Sequence, residues 1–244
     1  MVNKIFIANW KMQLSPLAAE KAAQAFARAF KGFSGTAVIC PDFLSLRAVA
    51  GMIKKSSLFL GAQDVAAYPR GAYTGEVAAV DLASLGVKYV LIGHSERRSY
   101  LQETDKLLAD KIRMALAQKI IPVLCVGENA AERKQGRAGA VIRTQLKGAL
   151  QSLSAKELRS LIIAYEPVWA IGTGLTCEPK AANQIKNAIH EWCQRTGLKK
   201  APILYGGSVK SENAETFLAA GGFDGLLIGG ASLDAGSFRK IAGI

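Results

Sequence analysis

Apolar runs of strand length recur along the chain, and each is followed by a segment with helical spacing of apolar residues. The eight runs lie at 4–9, 36–41, 58–64, 88–94, 120–128, 161–166, 202–208 and 225–230. They are continuous in Val, Ile and Leu rather than alternating with polar residues, which is typical of strands that are covered on both faces. The pattern therefore predicts βα units and a parallel sheet.

The intervening segments carry the end residues of amphipathic helices. The segment 15–32 begins with a Ser15 cap, has Pro16 in its first turn, and stops at Gly32. Further helices are predicted at 103–119, 178–197, 210–221 and 234–242.

Eight βα units in 244 residues predict an α/β fold, a closed (β/α)8 barrel with eight parallel strands inside and helices outside. The alternative is an open doubly wound sheet. Such a sheet would carry G-x-G-x-x-G after its first strand, where "ANWKMQ" stands instead. Because no low-complexity tract or linker interrupts the chain, we expect residues 1–244 to form one domain.

The formal charge of +12 suggests nucleic acid as a possible partner. The Lys and Arg residues are, however, scattered over polar helix faces, and their short clusters lack interleaved aromatic residues. We therefore expect no nucleic acid as a main partner. A positive field would still help to steer an anionic small molecule.

The four cysteines have neither metal-site nor disulfide spacing, so we expect reduced thiols that fill the core. The start of the chain, "MVNKIFIANWKM", is too interrupted for a signal peptide. The longest apolar runs fall short of the roughly 20 residues that a membrane span needs. We expect a soluble cytoplasmic protein with no membrane partner.

Polar residues follow several of the predicted strands at their carboxyl ends. They are Asn9 and Lys11 after the first run, His94, Ser95 and Glu96 after the fourth, Glu166 after the sixth, "GGS" at 206–208 after the seventh, and Gly229 and Gly230 after the eighth. In a (β/α)8 barrel these positions converge on one mouth, where the chemistry lies. Each of these residues could have an ordinary structural role if it is considered alone. His94 could be a structural histidine, Lys11 a solvated cation and Glu166 a surface acid.

The two glycine turns point to an anion. Backbone N–H groups without shielding side chains, at the start of a short helix, bind anions such as phosphate. The loops after strands seven and eight of such barrels often form a phosphate site. One glycine pair would also fit an ordinary turn, but two after consecutive strands favour a phosphate.

Taken together, these segments closely resemble the triosephosphate isomerase family, whose fold is the TIM barrel. The matching segments are "ANWKM" (8–12), "GAQD" (61–64), "GAYTGEV" (71–77), "IGHSERR" (92–98), "PVLCVGE" (122–128), "AYEPVWAIGTG" (164–174), "ILYGGSV" (203–209) and "GLLIGGASL" (225–233). The resemblance implies interconversion of dihydroxyacetone phosphate and glyceraldehyde 3-phosphate in glycolysis and gluconeogenesis. It implies no metal and no organic cofactor.

The resemblance also implies a role for each matching residue. Glu166 would be the general base and His94, as a neutral imidazole, the electrophile. Lys11 would supply positive charge to the enediolate, and Asn9 would hold substrate oxygens and Lys11. Glu96 would support Lys11, and Ser95 would hold Glu166 while the site is open. The phosphate would be held by Gly172, Ser208, Gly229 and Gly230, mainly through backbone N–H groups, so that side-chain changes at Ser208 are mild.

Two loops receive a role in the same way. Pro167 would anchor a lid with its tip at 170–174, which closes over the phosphate and excludes water. The family often has lysine where Leu175 stands, and an apolar side chain there would pack beneath the loop. The irregular segment 66–77 would insert into a partner subunit with Thr74 at its tip, which implies a homodimer.

Two other readings remain open from the residues alone. One is another phosphate-binding barrel, such as a sugar-phosphate epimerase or an indole-glycerol-phosphate-type synthase. An epimerase would want metal ligands at the strand ends, and among the histidines only His94 stands there. The other is a non-catalytic binding protein on the same fold. The complete set of Asn9, Lys11, His94 and Glu166 favours the isomerase.

Overall fold

Eight parallel strands form the inner wall of the protein. The computed structural model describes residues 4–172, 175–198, 201–219 and 222–244. The strands are β1 (Ile5–Asn9), β2 (Thr36–Cys40), β3 (Leu58–Ala62), β4 (Tyr89–Ile92), β5 (Ile121–Val126), β6 (Ile162–Tyr165), β7 (Ile203–Tyr205) and β8 (Gly225–Ile228).

Helices connect successive strands on the outside of this wall. They are α1 (Pro16–Ala29), α2 (Leu46–Ile53), α3 (Ala79–Ser84), α4 (Ser95–Tyr100), α5 (Asp105–Ala117), α6 (Ala130–Lys134), α7 (Ala138–Leu150), α8 (Pro179–Arg195), α9 (Ala214–Leu218) and α10 (Ala235–Ile241). Short 3-10 turns lie at Glu157–Ser160, Val168–Ala170 and Gly230–Ser232. Within the described ranges, no helix has the length and apolarity needed to cross a bilayer.

The sheet closes on itself, because β1 pairs with both β2 and β8 and every neighbouring pair is parallel. The register places Asn9 beside Cys40 at one seam and Ala8 beside Ile228 at the other. The predicted (β/α)8 barrel is therefore confirmed, and the open doubly wound sheet is wrong.

The core has two layers, one inside the barrel and one between the strands and the helices. Helix α1 shows how the outer layer forms. The Ser15 hydroxyl accepts a hydrogen bond from the N–H of Ala18, and Pro16 occupies the first turn, as predicted. Its buried face includes Phe26, whose ring packs against Phe30 and against Phe238 of α10. The first and last helices thereby close the ring of helices.

The strands are shorter than the apolar runs that predicted them. The run 202–208, for example, pairs with its neighbours only over Ile203–Tyr205. The residues that follow the strands lie at the carboxyl end of the barrel and carry the polar groups of the site. The predicted strands extended too far at their carboxyl ends. The residues predicted to lie at the carboxyl end of the barrel are nevertheless found there.

All four cysteines are buried and unpaired, which confirms the prediction of core thiols. Burial raises the pKa of Cys177 and of Cys193 to about 11. Burial also raises the pKa of the Cys125 thiol well above its ordinary value, and the nearby negative charge of Glu166 adds to this effect. Hardly any thiolate therefore exists at neutral pH.

We accordingly expect the native protein to react with Ellman's reagent far more slowly than free cysteine does. After unfolding in denaturant, the four thiols counted in the sequence should react rapidly. Time courses at 412 nm with and without denaturant measure both rates. A thiol that reacts within seconds in the native protein would contradict this expectation.

Candidate active site

The carboxyl ends of the strands surround a cavity of about 340 Å³. The predicted site residues in its wall are Asn9, Lys11, His94, Glu166, Gly172, Ser208, Gly229 and Gly230. Glu96 does not line this cavity, but its carboxylate lies 2.5 Å from the Lys11 ammonium. The structure therefore brings together the polar residues that the chain distributes over five strand ends.

Glu166 follows β6 directly and is buried, with 2% of its surface exposed. Its backbone N–H donates to the carbonyl oxygen of Val126 at 2.8 Å, which ties it to β5. Its Oε2 accepts a hydrogen bond of 3.0 Å from the backbone N–H of Ser95. Its Oε1 lies 3.2 Å from His94 Nε2 and has no hydrogen-bond partner among the described residues. One desolvated carboxylate oxygen is thus left available in the cavity.

His94 precedes α4 and caps it, because its Nδ1 accepts a hydrogen bond of 3.3 Å from the N–H of Glu96. This bond requires a lone pair on Nδ1, so the neutral ring carries its hydrogen on Nε2. The Glu96 carboxylate, 3.5 Å from Nδ1, makes no hydrogen bond to it. The donor nitrogen therefore faces Glu166 and the cavity.

Lys11 has a left-handed backbone conformation with φ of 53°, which is uncommon for a residue with a side chain. Its N–H donates to Asn9 Oδ1 at 3.1 Å, and its carbonyl accepts from Gln63 Nε2 at 2.8 Å. Gln63 also donates to the carbonyl of Cys40 at 3.0 Å. These bonds hold a strained residue in place, as is common at functional sites. Gln63 had no predicted role, although it stands directly after β3.

The two glycine turns line the same cavity as Lys11. A Cβ atom at Gly229 would lie 3.5 Å from Lys11 Cε, which places the turn after β8 in contact with the lysine side chain. Trp10 Nε1 donates to the carbonyl of Ser232 at 2.9 Å and fixes the turn after β8. The Ser208 hydroxyl donates to the carbonyl of Ala170. This bond links the predicted phosphate turn to the predicted lid, a side-chain role that the prediction of mild effects at Ser208 did not include.

The predicted lid begins at Pro167 and forms the 3-10 turn Val168–Ala170. Gly172 has φ of +70°, a conformation that favours glycine. Residues 173 and 174 of the predicted lid tip lie outside the described residues. Leu175 is 58% exposed, and the loop tip beneath which its side chain is predicted to pack lies partly outside the described residues.

A second buried carboxylate holds the start of the lid. Glu128 follows β5, and its Oε1 accepts hydrogen bonds from Trp169 Nε1 at 2.9 Å and from Tyr165 OH at 3.1 Å. The Arg133 guanidinium lies 4.7 Å from the centre of the Trp169 ring and 3.4 Å from Glu128 Oε1. Glu128 therefore fixes the residues on either side of Glu166. Sequence reasoning did not single it out, although it too stands at a strand end.

This arrangement fits proton transfer on a small anionic substrate. A desolvated carboxylate can accept a proton from carbon, a neutral imidazole can donate to an oxygen, and glycine turns can hold a phosphate. The fold and the site together define an enzyme of the (β/α)8-barrel class that acts by acid–base chemistry on a phosphorylated compound.

A family model described as triosephosphate isomerase matches residues 4–244. The triosephosphate isomerase of Caldanaerobacter subterraneus subsp. tengcongensis is 42% identical over 99% of each chain. That of Bordetella pertussis is 43% identical over 98% of this chain and 96% of its own. A crystal structure of the Bartonella henselae triosephosphate isomerase superposes with a TM-score of 0.87 at 32% identity, over 99% of this chain and 98% of that one.

The chain belongs to the triosephosphate isomerase family, and it is an isomerase of triose phosphates. The alternative of a sugar-phosphate epimerase or an indole-glycerol-phosphate-type synthase is therefore wrong.

Proposed function

We propose that the cavity interconverts dihydroxyacetone phosphate and D-glyceraldehyde 3-phosphate, as a step of glycolysis and gluconeogenesis. Glu166 takes a proton from the carbon beside the substrate carbonyl and returns it to the neighbouring carbon. His94 donates its Nε2 hydrogen to the carbonyl oxygen and moves protons between the two oxygens of the enediolate. The observation that carries this proposal is the unpartnered, buried Oε1 of Glu166 at 3.2 Å from the donor nitrogen of His94.

The remaining residues hold the substrate and its developing charge. The Lys11 ammonium lies against the Glu96 carboxylate and supplies positive charge near the substrate oxygens. Asn9 holds those oxygens and the Lys11 backbone. Backbone N–H groups at Gly172, Ser208, Gly229 and Gly230 bind the phosphate. Ser95 holds the base through its backbone N–H rather than through its hydroxyl.

The test is an assay of glyceraldehyde 3-phosphate turnover by the purified protein in the presence of a chelator. All proposed steps use side chains and backbone groups, so we expect full activity after dialysis against the chelator. Loss of activity that returns when a divalent cation is added would overturn the proposed mechanism. Folded protein without any turnover would overturn the proposed function.

We further propose a homodimer in which the segment 66–77 of one subunit inserts beside Lys11 of the other. Residues 68–76 are exposed and protrude, with Tyr68 and Tyr73 stacked at 4.4 Å. A groove of about 380 Å³ borders the active site and is lined by Lys11, Met12, Tyr100 and Leu101, among others. Met12 is 94% and Tyr100 81% exposed, an apolar surface that a partner would cover. The exposed loop and the apolar groove beside Lys11 support the proposed insertion.

Replacing Thr74 with arginine should break this dimer, because a long cation at the loop tip would have to enter a groove of limited volume. We expect a monomer by light scattering at concentrations where the parent protein is a dimer, and about tenfold lower specific activity. The matched control is Thr216→Arg, on the exposed side of α9, which should change neither property. A Thr74→Arg protein that remains dimeric would contradict the insertion.

We also propose that residues 1–244 fold as one domain and act in the cytoplasm. The cysteines, all buried and unpaired, are consistent with a reducing compartment.

A further inference from the structure

The wall of the active-site cavity contains a second lysine, Lys210, in the connection that follows β7. Its backbone is held in one conformation by Asn213. The Lys210 N–H donates to Asn213 Oδ1 at 2.8 Å, and Asn213 Nδ2 donates to the carbonyl of Ser208 at 3.0 Å. The Lys210 carbonyl accepts from the N–H groups of Asn213 and Ala214. The same amide thus fixes both Lys210 and the predicted phosphate turn.

The Lys210 side chain differs from Lys11 in its electrostatic partners. Lys11 is paired with Glu96 at 2.5 Å, which compensates much of its charge. Among the described residues, no carboxylate lies within 4.0 Å of the Lys210 ammonium and no acceptor binds it. Glu212 is the acid closest to it along the chain, and its carboxylate instead accepts from the Ser211 hydroxyl at 2.7 Å. Lys210 therefore lines the cavity without a close ion pair among the described residues, although the negative charge of Glu212 acts on it from farther away.

Part of the remaining positive charge lies far from the site. Exposed lysines lie in the connections that lead from a helix into the next strand, at the opposite end of the barrel: Lys31, Lys54, Lys55, Lys88 and Lys119. A strand of four or five residues is roughly 15 Å long, beyond the Debye length of about 8 Å at physiological salt. Charges at that end act weakly on a ligand at the mouth.

We propose that Lys210 is a phosphate-capturing residue of the isomerase. Its ammonium attracts the phosphate dianion of the substrate to the turn at 206–208 and retains it there, without taking part in proton transfer. The inference rests on the proposed function, since the phosphate is expected beside this turn. The attraction acts equally on both triose phosphates, so Lys210 favours binding and leaves the equilibrium between them unchanged.

The test compares Lys210→Met, Lys210→Arg and Lys54→Met with the parent protein. We expect Lys210→Met to lower kcat/KM about three- to tenfold at 20 mM ionic strength, with kcat within about twofold. The inhibition constant of inorganic phosphate should rise by the same factor, and both effects should shrink at about 0.5 M salt, where the Debye length is only a few ångströms. Lys210→Arg should retain the parent values.

Lys54→Met removes the same charge at the opposite end of the barrel, so it should match the parent protein at physiological salt and lose far less kcat/KM than Lys210→Met at 20 mM ionic strength. An equal loss in Lys54→Met would overturn the proposal, because the net charge alone would then account for the effect. The proposal would also be overturned if Lys210→Met left the inhibition constant of phosphate unchanged. It would be overturned as well if Lys210→Arg lowered kcat/KM as much as Lys210→Met does. Calorimetry of phosphate binding compares the same variants without measuring turnover. It therefore distinguishes an incorrect role for Lys210 from an incorrect isomerase function.

Discussion

Replacing Glu166 with glutamine should lower kcat by about three orders of magnitude, while inorganic phosphate should bind nearly as well as to the parent protein. A positioned general base contributes roughly 10²- to 10⁴-fold to a rate. The amide has the same shape as the carboxylate but cannot accept a proton. Its oxygen can still accept the 3.0 Å hydrogen bond from Ser95, which leaves the NH2 group facing the donor nitrogen of His94.

A graded comparison separates the loss of the base from the loss of its charge. Glu166→Asp keeps a carboxylate but shortens the side chain by one methylene, which moves the base by about 1 Å. A displacement of this size costs roughly 10²-fold, so the aspartate variant should lie between the parent and the glutamine variant. Steady-state kinetics with glyceraldehyde 3-phosphate, and phosphate as competitive inhibitor, measure both quantities. Glu166→Gln protein with near-parental turnover would show that another group is the base.

The fold could be predicted because the hydrophobic periodicity of its strands and helices is visible in the sequence. The run before Glu166, "LIIAY", is apolar at every position, and in the structure its strand residues are buried both toward the barrel interior and toward the helices. Strand ends were predicted less accurately because residues such as Gly207 and Ser208 continue the run although β7 ends at Tyr205. Their departure from the sheet depends on their neighbours, which one-dimensional periodicity does not contain.

The site was predictable where a polar residue ends an apolar run, as at Asn9, His94 and Glu166. The same rule applied to β3 and β5 would have found Gln63 and Glu128, whose roles lie in holding Lys11 and the lid. Other features of the site have no counterpart in the hydrophobic pattern of the sequence. The left-handed conformation of Lys11 is held in part by Gln63, a residue 52 positions away that contacts it only once the chain has folded.

The position of Glu166 depends on a close approach between β5 and β6 at Gly127. The Gly127 N–H donates to Gln145 Oε1 at 2.9 Å, and its carbonyl accepts from Gln145 Nε2 at 3.0 Å, so α7 holds this residue in place. A Cβ atom at Gly127 would lie 1.6 Å from the carbonyl oxygen of Glu166, a distance that no real contact reaches. The backbone of the base can therefore sit where it does only because residue 127 has no side chain.

Gly127→Ala should consequently displace Glu166 and lower kcat by about 100-fold, since a shift near 1 Å in a catalytic group costs that much. Overpacking of a buried contact should also lower the free energy of unfolding by about 3 kcal/mol. The matched control is Gly51→Ala in α2, where an added Cβ would meet nothing within 4 Å. That variant should keep parental kcat and be equally or slightly more stable, because alanine restricts the unfolded chain. Turnover and urea unfolding of the two variants measure both effects. A Gly127→Ala protein with parental kcat would mean that β5 and β6 can separate without moving the base, and the rigid junction inferred here would be wrong.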